Sequence, residues 1–152
     1  MAFDVKVKIT GVDEIVSQFM KAPKIVAKHA NDAIKKTIFT LLANARVNTP
    51  VDRGFLRGAA MVTTFEEMKG VLKNQAPYAV YVHEGTGPHY VPYKAIEGWA
   101  NRHGLPPWAV KRSIMRKGTK AKPFFTDSVE ASQTEIERFF VECNKNIIND
   151  IY

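Results

Sequence analysis

A chain of 152 residues, 45 % hydrophobic and 24 % charged, can bury the core of one ordinary domain and has the composition of a soluble globular protein. No run of about 18 apolar residues is present, which excludes a membrane-spanning helix, and the opening Met-Ala-Phe-Asp-Val-Lys lacks the apolar core of a secretion signal. The formal net charge is +7, and residues 98–126 hold seven Lys and Arg with no Asp or Glu, which equals that whole excess. A localised basic patch points to an acidic partner, either nucleic acid or the acidic surface of another protein. The single Cys143 excludes an internal disulfide and a Cys-rich zinc site. It sits in an apolar helical pattern and reads as a buried, inert thiol.

In chain order, residues 3–9 alternate Phe3, Val5, Val7 and Ile9 with Asp4, Lys6 and Lys8, the pattern of a half-buried strand. After Gly11, Val12, Ile15, Val16, Phe19 and Met20 recur at helical spacing, and Asp13 and Glu14 suit a helix N-terminus. Pro23 interrupts, so a second, longer helix is expected from about Lys24 to Val47, with Ile34, Ile38, Leu41, Leu42 and Ala45 as its core stripe. One kinked helix from Asp13 onward is the alternative.

Thr49-Pro50-Val51-Asp52-Arg53-Gly54 is a turn cluster, in which Asp52 reads as a turn cap. Phe55 to Phe65 then looks extended, Glu66 to Gly70 reads as a hairpin connection, and Val71 and Leu72 begin a returning strand. Tyr78 to His83 alternates with period two and carries β-branched and aromatic residues on both faces. It reads as the central strand of a three-stranded meander, ended by Gly85 and Gly87. Further on, Ile96, Trp99 and Ala100 mark a helix from Tyr93 to His103, and Pro106-Pro107 opens another from Trp108 to Met115. A last helix is expected from Asp127, with Glu130 completing a capping box and Ile136, Phe140, Cys143, Ile147 and Ile151 as its stripe. The expected architecture is one α+β domain over residues 1–152. It combines a small antiparallel sheet of about three to four strands with a long packed helix and further C-terminal helices.

Four histidines invite a metal or catalytic reading, chiefly His83, Glu84 and His89 around the glycine turn, but no helical His-x-x-x-His pair exists. No serine sits in a glycine elbow, and Gly85-x-Gly87 lacks the third glycine of a dinucleotide loop. No catalytic, cofactor or metal residue is therefore assigned, and an enzyme is not expected. The basic segment is more informative. On a helix from Trp108, Lys111 to Arg116 would project a cationic face, with Trp99, Trp108 and Tyr93 able to stack on bases.

Three stretches then speak together. Asn48-Thr-Pro-Val-Asp-Arg-Gly-Phe-Leu-Arg-Gly58 resembles the T-P-V-D-T-G-x-L-R signature of a bacteriophage tail-component family. Tyr78-Ala-Val-Tyr-Val-His-Glu-Gly-Thr-Gly87 is similar to that family's Y-A-x-Y-V-E-x-G-T stretch. Lys117-Gly-Thr-Lys-Ala-Lys-Pro-Phe-Phe125 is similar to its G-T-x-A-x-P-F-L segment. Arg53 replaces the usual small residue, and His83 precedes the acidic and glycine positions.

The resemblance implies a non-enzymatic virion protein of the neck or tail-completion type in long-tailed phages, made in the host cytoplasm and carrying no cofactor. Its implied partners are head-closure, tail-terminator or tail-tube proteins and further copies of itself in a ring, six being the expected number. A membrane is not among them. The candidate contact surface is Asp52, Arg53, Gly54, Leu56 and Arg57 with His83, Glu84, Gly85 and Thr86, and Leu56 reads equally as core. Arg112, Arg116, Lys120 and Lys122 represent the basic patch. Residues 127–152 are acidic, so a head-to-tail contact could pair that helix with the basic face of a neighbour. The rival reading is a nucleic-acid-binding module using residues 102–122, and contact with genomic DNA in a phage neck is compatible with both.

Overall fold

The computed structural model describes residues 12–151. The expected strand at residues 3–9 lies outside them. The elements run α1 (Val12–Asn48), β1 (Met61–Glu66), β2 (Lys69–Asn74), α2 (Ala79–Glu84), α3 (Tyr93–Arg102), α4 (Pro107–Lys117) and α5 (Phe124–Ile151). The α+β class holds, but the sheet has two strands among the described residues, not three to four.

Helix α1 runs unbroken for 37 residues, about 55 Å, with Pro23 inside it. The expected break at Pro23 is thus replaced by the single-helix alternative. Proline removes one helical donor, and the 36 other residues outweigh that loss. Within the expected stripe Ile38 and Ala45 are buried and Ile34, Leu41 and Leu42 half-buried. The helix stops at Thr49. Its N–H and its hydroxyl both donate to the Ala45 carbonyl, at 3.0 and 2.5 Å, and Pro50 cannot continue the ladder.

Helix α5 lies antiparallel along α1, and this pair forms the most extensive packing in the molecule. The register is written in polar contacts: Asn48 Nδ2 donates to Ser128 Oγ at 3.0 Å, and Asn44 Nδ2 to Ser132 Oγ at 2.7 Å. Farther along, Lys36 reaches Glu142 and His29 reaches Asp150. Both serines are buried, at 1 % and 0 % exposure, and their hydroxyls donate back to the Phe124 and Ser128 carbonyls. Buried polar groups cost about 1–3 kcal/mol when unpaired, so these two satisfied Asn–Ser pairs fix register without that penalty. The helix begins at Phe124, one turn before the expected Asp127, because the Asp127 N–H already donates to the Pro123 carbonyl. Asp127 therefore sits in the first turn and not at a capping box. Cys143 is buried, as expected, whereas Phe140 faces solvent at 41 % exposure.

The hairpin pairs Met61 with Asn74 through to Glu66 with Lys69, leaving Glu67 and Met68 as a two-residue turn with Met68 at φ 53°. The Asn31 side chain accepts from the Met68 N–H at 2.7 Å and ties the turn to α1. A Cβ on Gly70 would come within 2.6 Å of Ile38, so glycine lets β2 lie directly on the helix. The expected extended run from Phe55 begins only at Met61. Residues 55–60 form consecutive turns in which Gly58, Ala60 and Met61 donate to Gly54, Phe55 and Gly58.

The expected central strand at Tyr78–His83 is helix α2. Ala79 is buried, Val82 and His83 are half-buried, and Val80, Tyr81 and Glu84 are exposed. That is an i, i+3, i+4 burial pattern. Over six residues the period-two and helical templates overlap, and β-branched composition does not overrule packing. The core gathers Ala45, Leu56, Ala60, Met61, Ala76, Ala79 and Phe124, with Leu42, Leu72, Val82 and Phe125 against it. It therefore joins α1, the hairpin, α2 and the start of α5.

Candidate functional site

Two Gly-Thr dipeptides cross between α2 and α4. Thr86 and Thr119 form an antiparallel bridge, with backbone N–H to carbonyl distances of 3.1 and 3.0 Å and hydroxyls 2.9 Å apart. The preceding glycines share one conformation, φ 75° and ψ −174° at Gly85, φ 74° and ψ −158° at Gly118. Only glycine occupies that region readily. A Cβ on Gly118 would fall 1.8 Å from the Thr86 carbonyl oxygen, and one on Gly85 would fall 2.6 Å from that of Thr119. The clasp thus needs both glycines. Sequence reading singled out Gly85 and Thr86 but not Thr119. The repeated dipeptide was the available signal. Three residues after Thr119, the Lys122 N–H donates to the Val82 carbonyl at 2.9 Å and holds the basic connector against α2.

A second tie joins the turn cluster to α3. The Arg102 guanidinium donates to both Asp52 oxygens, Nε to Oδ1 at 2.9 Å and Nη2 to Oδ2 at 2.5 Å. Asp52 is therefore no turn cap but the acceptor of a two-pronged ion pair. That hydrogen bond from Arg102 holds the Asp52 carboxyl below its ordinary value, with Arg102, His103 and Arg53 charges adding to it, and raises Arg102 in turn. Trp99 stacks on His103, with ring centroids 4.3 Å apart.

Around Trp99 three clefts meet, of about 670, 510 and 800 Å³. The first lies between α3 and α4, floored by Ile96, Ala109, Val110 and Ile114, with Lys120 at its edge. The second gathers Asp52, Arg53, Gly54 and Leu56 with Val82, Trp99 and Lys122. The third runs from Tyr78 and Tyr81 past Thr86 to Thr119 and Lys120. The structure thus brings much of the expected surface together around a tryptophan. Leu56 belongs chiefly to the core, at 6 % exposure. Arg57, Arg112 and Arg116 are exposed and line none of the three clefts, and neither does Glu84. Among the described residues, no ion pair neutralises Lys111, Arg112, Arg116, Lys117, Lys120 or Lys122, whereas Arg102 of the same segment is neutralised by Asp52.

His83 turns inward. Its ring meets Phe124 edge-on at 5.3 Å, Nε2 lies 3.3 Å from Thr126 Oγ1, and Nδ1 is buried with no partner. His89 Nδ1 instead lies 2.9 Å from the Gly87 carbonyl. The grouping of His83, Glu84 and His89 as ligands does not form, and among the described residues no three His, Cys, Asp or Glu converge on a metal-sized site.

Residues 13–85 match the model of a family described as "Bacteriophage HK97-gp10, putative tail-component". The match spans α1 to Gly85 and takes in two of the three motif stretches, the turn cluster and α2. No curated protein and no solved structure matches the chain.

Proposed function

We propose that this chain, similar over residues 13–85 to a phage tail component, is a structural virion protein of the neck or tail-completion type. It would join or complete the tail at the head–tail interface through ring-forming contacts with its own copies and with neighbouring neck and tail proteins. The observation that carries the reading is the coincidence of matched motif and built surface. Residues 50–56 with Tyr78, Tyr81 and Val82, inside the matched stretch, wall the clefts that meet at Trp99. Their turns are pinned by the Asp52–Arg102 pair and the Gly-Thr clasp, as a surface for rigid docking requires. The protein acts in this reading by contact and not by catalysis, and its place is the virion. Electron microscopy of lysates from the encoding phage with this reading frame stopped tests it. Filled heads beside unattached or malformed tails are expected, and intact infectious particles would overturn the reading.

A second reading has its own observation. The Lys111 ammonium lies 4.7 Å from the centre of the Tyr90 ring, Trp108 is 63 % exposed, and Arg112 and Arg116 have no acidic partner among the described residues. Such a cationic–aromatic face suits phosphates and bases. Binding of duplex or single-stranded DNA that weakens steeply with salt would favour it, and the absence of binding at low salt would remove it.

A further inference from the structure

Helix α5 carries a second face that nothing among the described residues covers. At about 100° per residue, Val129, Glu130, Glu137, Phe140, Val141 and Ile148 fall within about one third of the helix circumference, with Val129 at the edge that borders Ile38 and Leu41 of α1 and the others turned away from it. Val129, Val141 and Ile148 are 52 %, 54 % and 58 % exposed, and Phe140 is 41 % exposed. Neither Glu130 nor Glu137 joins an ion pair among the described residues. Phe140, Val141 and Ile148 make the C-terminal half of this face apolar, while Glu130 and Glu137, the latter accepting from Gln133 Nε2 at 3.2 Å, put carboxylates on its N-terminal half, the complement of an apolar groove with ammonium groups at its rim.

The chain presents such a groove. The cleft between α3 and α4 is floored by Ile96, Val110 and Ile114 and walled by Trp99, with Lys120 at its edge and Lys122 in the adjoining cleft. Both lysines are exposed, and neither joins an ion pair among the described residues. Nucleic acid offers the groove phosphates but no aliphatic stripe to fill its floor, so the apolar floor selects a protein helix. Arg112 and Arg116 lie outside the groove and are not its cations.

We propose that the Trp99 groove of one copy receives the outer face of α5 of a second copy, with Lys120 and Lys122 facing Glu130 and Glu137. This rests on the reading of the chain as an assembly subunit and names the surfaces that subunit uses. Groove and helix face are different surfaces of one chain, so the contact is heterologous and propagates from copy to copy until it closes.

The test places benzoylphenylalanine at Ser113, an exposed residue of the groove wall. Light and heavy isotope-labelled chains are mixed, both as concentrated purified protein and in assembling lysates. After illumination, adducts are expected between the probe of one copy and peptides from residues 129–148 of another. Lys120→Glu with Lys122→Glu lowers their yield about tenfold, and adding Glu130→Lys with Glu137→Lys in the same chain restores it. Arg112→Glu with Arg116→Glu leaves it unchanged. Adducts confined to one chain, adducts to DNA or to other proteins only, or failure of the charge swap to restore the yield would each overturn the proposal. A chain present at the joint without such adducts sinks the docking alone. A chain absent from particles sinks the reading as a tail component, while the purified protein still decides the docking.

Discussion

Gly118→Ala is the sharpest perturbation of the site. Gly118 holds φ 74° and ψ −158°, a region that costs an L-residue about 1–3 kcal/mol. The added methyl would meet the Thr86 carbonyl oxygen at 1.8 Å and two further backbone carbons at 2.7 Å, none of which can swing aside as a side-chain tip could. Relief requires the two strands of the clasp to part, which forfeits its two backbone hydrogen bonds at about 1 kcal/mol each. The combined loss is about 3–5 kcal/mol, a large share of a domain's stability. For a chain of this size that lowers Tm by about 6–20 °C.

Two glycines serve as internal references. A Cβ on Gly104 meets nothing within 4 Å, but φ is 64°, so Gly104→Ala should cost only the conformational term, about 1 kcal/mol. Gly87 has open space and no positive φ, so Gly87→Ala should melt within about 2 °C of the wild type. Thermal unfolding by circular dichroism ranks the three variants. Amide exchange at Thr86 and Thr119 reports whether the clasp opens locally. If Gly118→Ala melts with the wild type and both amides stay protected, the clasp is not held as described.

Removing the Asp52 carboxylate should have a pH signature. The Arg102 contact depresses the folded-state pKa of Asp52, so its contribution is present above the ordinary carboxylate value of about 3.9 and disappears as pH falls through the folded value. Asp52→Asn should therefore unfold at lower urea than the wild type at pH 7, and the gap should start to close as pH falls below the ordinary carboxylate value and vanish once pH passes the depressed folded one; a gap that does not narrow on acidification contradicts the pairing. At the helix seam, Ser132→Ala strands the Asn44 amide and should cost about 1–3 kcal/mol. Adding Asn44→Ala should cost less than the sum of the single changes, and strict additivity in a denaturation cycle would deny the contact. Phe124, 1 % exposed where α5 meets the core, should lose about 3–5 kcal/mol on truncation to Ala. A loss under about 1 kcal/mol would show that this end of α5 is not anchored there.

Long periodic segments were legible from sequence. Helices α3 and α4 fall within two residues of their expected bounds because proline opens α4 and a glycine follows each closely. The motif stretch Asn48–Gly58 and all but the last two residues of Tyr78–Gly87 lie within the family match, so the resemblance was readable from residue types alone. The failures have separate physical causes. Tyr78–His83 was too short for its period to be unique, and the buried trio Ala79, Val82 and His83 became visible only through packing. The Asp52–Arg102 pair and the Thr86–Thr119 bridge link residues 50 and 33 apart, and no local pattern encodes such partners. Counting Arg102 with the free cations of the basic segment overstated that patch, since its charge is already answered by Asp52.

The central claim is a place as well as a role, and labelling tests the place most directly. An epitope tag that leaves the phage infectious, decorated with gold on purified particles, reports where the chain resides. The account predicts several labels per particle, gathered at one level where head meets tail. Labels along the tail tube or at its distal tip, or particles that contain none of the chain, would contradict it.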